Sequence, residues 1–314
     1  MKKVLCIGSI TVDVMIKPVN ELPKAGTLVA VDSVSTHIGG CASNAAADLA
    51  KIGVPVVMSA LVGDDMMGDF FKKTISSYGV DIRGVKTSKE VGTTISTVLI
   101  SDNGERSFLY NPASAAVFTD TDIPDELIQE CDILFIGGAL LLTSFDGAPA
   151  ARVMKRAREL GKITVMDTAW DFDDVWLPKI REVLPYLDYF IPSIEEAEKL
   201  TGETEPEKIA DKLHDLGSTH IAVKVGKRGS MISPVKGEYK YLPTYSGIKR
   251  VDTTGAGDSF CAGFLTGLAN DWDMEKSAQF GNAVASHCIQ AIGATTCIPP
   301  MDEVLKFMET HTAG

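Results

Sequence analysis

Residues 251–260 read Val251-Asp252-Thr253-Thr254-Gly255-Ala256-Gly257-Asp258-Ser259-Phe260. From Asp258 onward Phe260, Cys261, Phe264, Leu265 and Leu268 recur at helical spacing, which predicts a helix beginning near Gly257. Small residues just ahead of a helix leave its first amide groups unhindered and aimed at one spot, where the helix dipole also favours negative charge. Such a spot suits a phosphate, and still more the charge that builds on a phosphoryl group in transit. Asp258, in the first turn, sets a carboxylate at the edge of that spot, where it can take a proton from an attacking hydroxyl. On its own, Gly-Ala-Gly-Asp also describes a plain glycine turn whose acid stabilises a helix start. The rest of the chain has to separate the two readings.

A second glycine pair leads into a helix at His37-Ile38-Gly39-Gly40-Cys41-Ala42-Ser43-Asn44-Ala45-Ala46-Ala47. Asn44, in its first turn, offers donors and an acceptor to a polyol, although Gly-Gly before an alanine-rich helix also serves tight packing. Around these two segments, Val4–Ile10, Pro55–Val62, Ile133–Gly137, Ile163–Asp167, Asp188–Ile191 and His220–Val225 read as strands apolar on both faces. Ser43–Ile52, Met67–Tyr78, Pro149–Leu160 and Pro206–Leu216 show helical spacing, and Gly53, Gly79, Gly161 and Gly217 end them. Strand–helix alternation of this kind predicts a parallel sheet with helices on both sides, a three-layer α/β/α body. Two segments, about 11–37 and 91–112, carry strand-like pieces without helices. Thr94–Ile100 and Arg106–Tyr110 flank Ser101-Asp102-Asn103-Gly104, a hairpin signal. These segments predict a small antiparallel sheet projecting from the edge of one domain spanning 1–314.

The 314 residues carry 30 Lys and Arg against 42 Asp and Glu, a formal charge of −12. That balance argues against nucleic acid and against an anionic membrane surface as partners. The six cysteines are dispersed, with no zinc spacing and no disulfide framework, as expected of a chain working in a reducing cytoplasm. No targeting segment or membrane-length apolar run is apparent. His37 and His287 have no second ligand at metal spacing and read as packing or polar-contact residues. Asp64 and Asp65 read as turn-shaping, and Trp170 and Trp176 as cover for the carboxyl end of a strand.

Taken together, Gly39-Gly40 with Asn44 and the late Asp252–Asp258 motif resemble the two signatures of ribokinase-like (PfkB-type) carbohydrate kinases. Gly8-Ser9-Ile10-Thr11-Val12-Asp13, Gly63-Asp64-Asp65, Val225-Gly226-Lys227-Arg228-Gly229 and the run from Asn282 to Gly293-Ala294-Thr295 follow in the matching order. The resemblance implies a ribokinase-like fold with a β-sheet lid. It also implies transfer of the ATP γ-phosphoryl to a hydroxyl of a small sugar or sugar acid, and a homodimer formed through the lid. By the same resemblance Asp258 is the general base, and the amides of Gly255, Ala256 and Gly257 form the anion hole. Asp13, Gly39, Gly40 and Asn44 hold the sugar, while Ser193, Lys224, Gly226, Gly229 and Asn282 lie on the nucleotide side. Glu196 organises Mg²⁺ through water. Asp252, Thr254, Cys288, Ala291, Gly293 and Cys297 match a monovalent-cation site that K⁺ occupies in many relatives.

The chain also departs from the pattern. Ser193 stands where the family has the asparagine of an Asn-x-x-Glu motif, and a Ser before Ile194-Glu195-Glu196 is equally a helix cap. Cys297 replaces a serine, and a thiol is a poor potassium ligand. Cys41 stands where sugar-phosphate kinases tend to carry lysine, which favours an unphosphorylated acceptor. Pro112-Ala113-Ser114 replaces the family's Gly-Ala-Asn, and Ile136–Leu140 carries no charge where ribokinase offers a glutamate, so ribose is not implied. Arg106 beside Glu105 reads as a solvated lid residue, with a keto-acid carboxylate as the alternative partner. A nucleoside kinase, or a nucleotide- or sugar-binding regulator without catalysis, are the competing functions. The first is disfavoured by the lack of Phe, Tyr or Trp in Thr11–His37, the second by the intact Gly-Ala-Gly-Asp.

Overall fold

The computed structural model describes residues 1–314. In chain order the first half contains β1 (Val4–Gly8), β2 (Thr11–Lys17), β3 (Ser33–Gly39), α1 (Cys41–Ile52), β4 (Val56–Gly63), α2 (Met66–Ser77), β5 (Asp81–Ser88), β6 (Ile95–Ile100), β7 (Arg106–Asn111), α3 (Ala113–Val117), α4 (Asp125–Glu130) and β8 (Ile133–Ala139). The second half contains α5 (Ala148–Glu159), β9 (Ile163–Thr168), α6 (Leu177–Ile180), β10 (Tyr189–Phe190), α7 (Ile194–Thr201), α8 (Pro206–Asp215), β11 (His220–Lys224), β12 (Ser230–Ser233), β13 (Lys240–Leu242), α9 (Ala256–Ala269), α10 (Met274–Cys288) and α11 (Met301–Thr310).

Nine strands form one sheet in the order β13-β12-β11-β10-β9-β8-β1-β4-β5. It is parallel from β11 to β5, and β12 and β13 add an antiparallel edge. Because side chains alternate across a strand, Val4, Cys6, Ile133 and Phe135 join the core under α1, α2, α9, α10 and α11. Leu5, Ile7, Leu134 and Ile136 join the opposite core under α3–α8. Strands with both faces covered in this way read as the unbroken apolar runs seen in the sequence. No helix is long and apolar enough to cross a membrane.

The remaining four strands form the lid, in the order β3-β2-β6-β7. Here the expectation of an antiparallel sheet needs correction. β2–β3 and β6–β7 are antiparallel hairpins, but the hairpins join through parallel β2–β6 pairing, Val12 opposite Ile95 through Ile16 opposite Leu99. Hairpin signals fix the pairing within each segment; which strands meet between segments depends on where both leave the body. No expectation covered the edge strands β5, β12 and β13, where an edge position or a short run weakens the alternation, nor the helices α10 and α11.

Candidate active site

The cleft lies beyond the carboxyl ends of the parallel strands, where ligands of open α/β sheets bind. The backbone enters α1 through Gly40, whose φ of 93° is a left-handed conformation that side chains resist. A Cβ there would stand 2.6 Å from Ser9 O and 2.7 Å from Ile10 Cα, so only glycine lets α1 start this close to the turn after β1. One turn into α1, buried Asn44 donates from Nδ2 to Asp258 Oδ2 at 2.8 Å. Asn44 Oδ1 is buried and has no protein partner, which leaves it suited to accept from a ligand hydroxyl.

Asp13 sits on β2, the strand that pairs with both β3 and β6, opposite His37 and Ser96; Ser96 is in turn opposite Tyr110. The four therefore share one face of the lid. Burial, reinforced by the charge of Asp258, pushes the Asp13 carboxyl up to about 6. Tyr110 OH is also buried without a partner, and Tyr110 was not singled out from the sequence. Alternation along β7 puts Arg106, Phe108 and Tyr110 on a common face, but does not say that this face closes on the body.

On the opposite wall, Gly255 caps α9 with φ 79°, and a Cβ there would lie 2.5–2.7 Å from Ala294. Helix α9 starts at Ala256, so the chain passes directly from this turn into the first helical amides, with Asp258 beside them. Burial raises the Asp258 carboxyl above the ordinary carboxylate range, while the Asn44 hydrogen bond and the Lys224 charge oppose the rise. Cys41 Sγ and carboxylate oxygens of Asp167 and Asp258 lie within 4.8 Å of one another. Lys224, at the end of β11, donates to Asp167 Oδ1 at 2.5 Å, and its Nζ stands 3.4 Å from where a Cβ on Gly257 would be. Burial pulls the Lys224 ammonium down, but Asp167 and Glu196 push it up and the net result is well above its ordinary value. It stays charged against the anion-binding loop.

Lys224, Gly226, Gly229, Ala256, Gly257 and Asn282 share the lining of one cavity of about 280 Å³, whose apolar wall includes Tyr245, Ile248 and Ile289. Asn282 Nδ2 donates to Leu242 O at 2.9 Å and to Ser230 Oγ at 3.2 Å, so this side chain is fixed as part of the wall. Ser193 does not line this cavity. It caps α7: its Oγ accepts from Glu196 N at 3.3 Å, and Glu196 Oε2 accepts from Ser193 N at 3.0 Å and Thr168 Oγ1 at 2.9 Å. Glu196 Oε1 has no such partner, so a carboxylate oxygen held in place by a capping box is available to hydrated Mg²⁺.

Arg106 is not a solvated residue. Its guanidinium reaches from β7 to Asp252 Oδ1 at 2.8 Å and also donates to Thr254 Oγ1, tying the lid to the anion-binding loop. Asp252 Oδ2 accepts from Gly293 N at 3.1 Å, and Cys288 Sγ lies 3.4 Å from Thr254 O. These contacts bring Asp252, Thr254, Cys288 and Gly293 together; Cys297 is exposed. Asp65, read as a turn residue, caps α2 and also accepts from Thr93 N at 2.8 Å at the base of the lid.

Residues 1–301 match the pfkB family carbohydrate kinase. The chain belongs to the pfkB family of carbohydrate kinases. A 2-dehydro-3-deoxygluconokinase of Bacillus subtilis is 27% identical over 91% of each chain. An ATP-dependent ribose-1-phosphate kinase of Halopiger xanaduensis is 29% identical over 98% of each. Among solved structures, a ribokinase of Thermotoga maritima superposes with a TM-score of 0.85 at 26% identity, covering 99% of this chain and all of that one. An Arabidopsis thaliana ribokinase complexed with ribose and ATP also gives 0.85, at 24% identity over 98% and 99%. This pfkB protein is thus a sugar or sugar-acid kinase with the ribokinase-like fold.

Proposed function

We propose that this kinase phosphorylates a hydroxyl of a small sugar or sugar acid with ATP, using Asp258 as the general base. The observation that carries the reading is the pairing of Asp258 with Asn44 across the cleft, at the first turn of α9 and beside the Gly255–Gly257 amides. The acceptor sugar lies between Asp13, Gly39, Gly40, Asn44 and Tyr110. The nucleotide lies along the cavity lined by Gly226, Gly229 and Asn282, with its phosphates toward Gly257 and Lys224. Asp258 takes the hydroxyl proton as the sugar oxygen attacks the γ-phosphorus and ADP leaves. The helix-start amides and the Lys224 charge stabilise the phosphoryl group in transit. Glu196 would hold Mg²⁺ through water, and the ion would supply charge neutralisation to the phosphates. A monovalent cation at the Asp252–Thr254 and Ala291–Cys297 loops, and pairing of two lids into a homodimer, belong to the same reading.

The test is a coupled ADP-release screen with Mg²⁺–ATP over ketoses, aldoses, sugar acids and nucleosides, with and without potassium. Turnover of one sugar that falls on the order of 10²–10⁴-fold in Asp258→Asn supports Asp258 as base. Asp258→Asn retaining wild-type turnover refutes it. A several-fold loss without potassium supports the cation site.

A further inference from the structure

Behind the anion-binding loop, α1 and α9 meet through two side-chain bridges, made by consecutive residues of α9 with residues one turn apart on α1. Asn44 Nδ2 donates to Asp258 Oδ2 at 2.8 Å. One turn on, Ser259 Oγ and Asp48 Oδ2 are 2.6 Å apart. Asp48 and Ser259 are fully buried, and a carboxyl group is a costly occupant of such a place. The surrounding positions of α1, Ala45, Ala46, Ala47 and Leu49, are apolar and equally buried, so packing alone gives no reason for an acid at 48.

Asp48 Oδ1 has no hydrogen-bond partner. Its other oxygen, Oδ2, accepts from Ser259 Oγ, so this one hydrogen bond is what satisfies the buried side chain. Burial pushes Asp48 well above the ordinary carboxylate range; the Ser259 hydrogen bond and Lys51 oppose, and the charge of Asp258 adds to the rise. Nearby, buried Cys288 Sγ lies 3.2 Å from Ala294 O and 3.4 Å from Thr254 O, and its single proton can serve either. The Asp48–Ser259 bond thus joins α1 to the first turn of α9, beside the Asn44–Asp258 bond.

We propose that Asp48 is a positioning residue for phosphoryl transfer: joined to Ser259, it holds the first turn of α9 against α1, so that Asp258 stays on Asn44. This rests on the kinase reading of the site. Its effect is on geometry, and displacement of a reacting group by an ångström is enough to cost about 10²-fold in rate.

The test compares Asp48→Ala, Ser259→Ala and Asp48→Asn in the full chain, with rates referred to the folded fraction measured by circular dichroism. Asp48→Ala and Ser259→Ala each cut the link and lower kcat roughly 10- to 100-fold, with KM for ATP and sugar changing less than about threefold. Asp48→Asn, whose amide oxygen accepts the same hydrogen bond, keeps kcat within about threefold of wild type. Unchanged kcat in both link-cutting variants, a loss expressed in KM alone, or Asp48→Asn as impaired as Asp48→Ala overturns the proposal. Crystal structures of Asp48→Ala and Ser259→Ala read the same question without turnover. Asn44 and Asp258 drawn beyond hydrogen-bond distance is the expected result, and a contact kept at its present length overturns it. A wild type that phosphorylates nothing would defeat the kinase reading alone, and the crystallographic arm would still decide the role of Asp48.

Discussion

A carboxylate that takes a proton from an alcohol must be ionised and yet sit beside an incoming phosphoryl charge. Asp258 meets this with a raised pKa, caused first by burial, and with Asn44 as a donor that stabilises its charge. Asp13 shares the cleft and its field, at about 6. An acid whose folded pKa stands above its unfolded value holds its proton more tightly in the fold, so stability drops as pH rises between the two values. For Asp13 that window runs from the ordinary 3.8 up to about 6. Asp13→Asn removes the penalty. Its melting temperature is expected to match wild type near the bottom of the window, to exceed it increasingly as pH rises, and to keep a constant margin above. Thermal scans across this range check it, and a margin independent of pH would refute it. The same substitution is expected to raise KM for the sugar by about tenfold or more, because a charged hydrogen bond to a hydroxyl is lost. The ionisation that activates the cleft is the one that destabilises it.

Among the elements, the lid is held to the body at both ends. Asp65, the N-cap of α2, holds Thr93 at the base. At the other end Arg106 holds Asp252, in a pair whose side chains are 22% and 3% exposed. Charge-assisted bonds in such partly dry places are stronger than surface ion pairs. Arg106→Ala is expected to lower kcat/KM by about tenfold, the equivalent of one charged hydrogen bond, and to speed amide exchange along β7. Asp252 keeps Thr254 N and Gly293 N as donors, so the melting temperature should change little. Hydrogen exchange with steady-state kinetics checks this; unaltered exchange in β7 would count against a latch. How legible these elements were follows from their length. The helices ending at Gly53, Gly79, Gly161 and Gly217 were readable because period, cap and breaker coincide there. The edge strands β12 and β13 offer too few residues for any period to show, whereas β10 was legible as the apolar run Asp188–Ile191.

On the scale of the molecule, the outward face of the lid stands out. Strand register places Val14, Ile16, Val34, Leu99 and Leu109 on the face opposite Asp13 and Tyr110. Val34 is 61% and Leu109 58% exposed. Helices cover both faces of the large sheet, but one chain covers only one face of the lid. An apolar sheet face left open in this way suits a second copy of the chain. Leu109→Asp is expected to convert a dimer to monomer in sedimentation velocity at micromolar concentration; a wild type that sediments as a monomer would refute lid pairing.

The sequence by itself determined the layers, the helix stops, the β6–β7 hairpin and the glycine turns that lead into α1 and α9. Each of these is a local property, a period or a φ angle confined to about ten residues. It also marked Asp258, Asn44, Gly40 and Gly255, because a helix start with bare amides is written in consecutive residues. Only the tertiary structure decided that Tyr110 faces the cleft, that Arg106 leaves solvent for Asp252, that Lys224 meets Asp167, and that Asp48 meets Ser259. The last two pairs join residues 57 and 211 positions apart. No local pattern ties such residues together: their meeting is set by strand order, lid register and the packing of α9 on α1, which exist only once the chain has closed on itself.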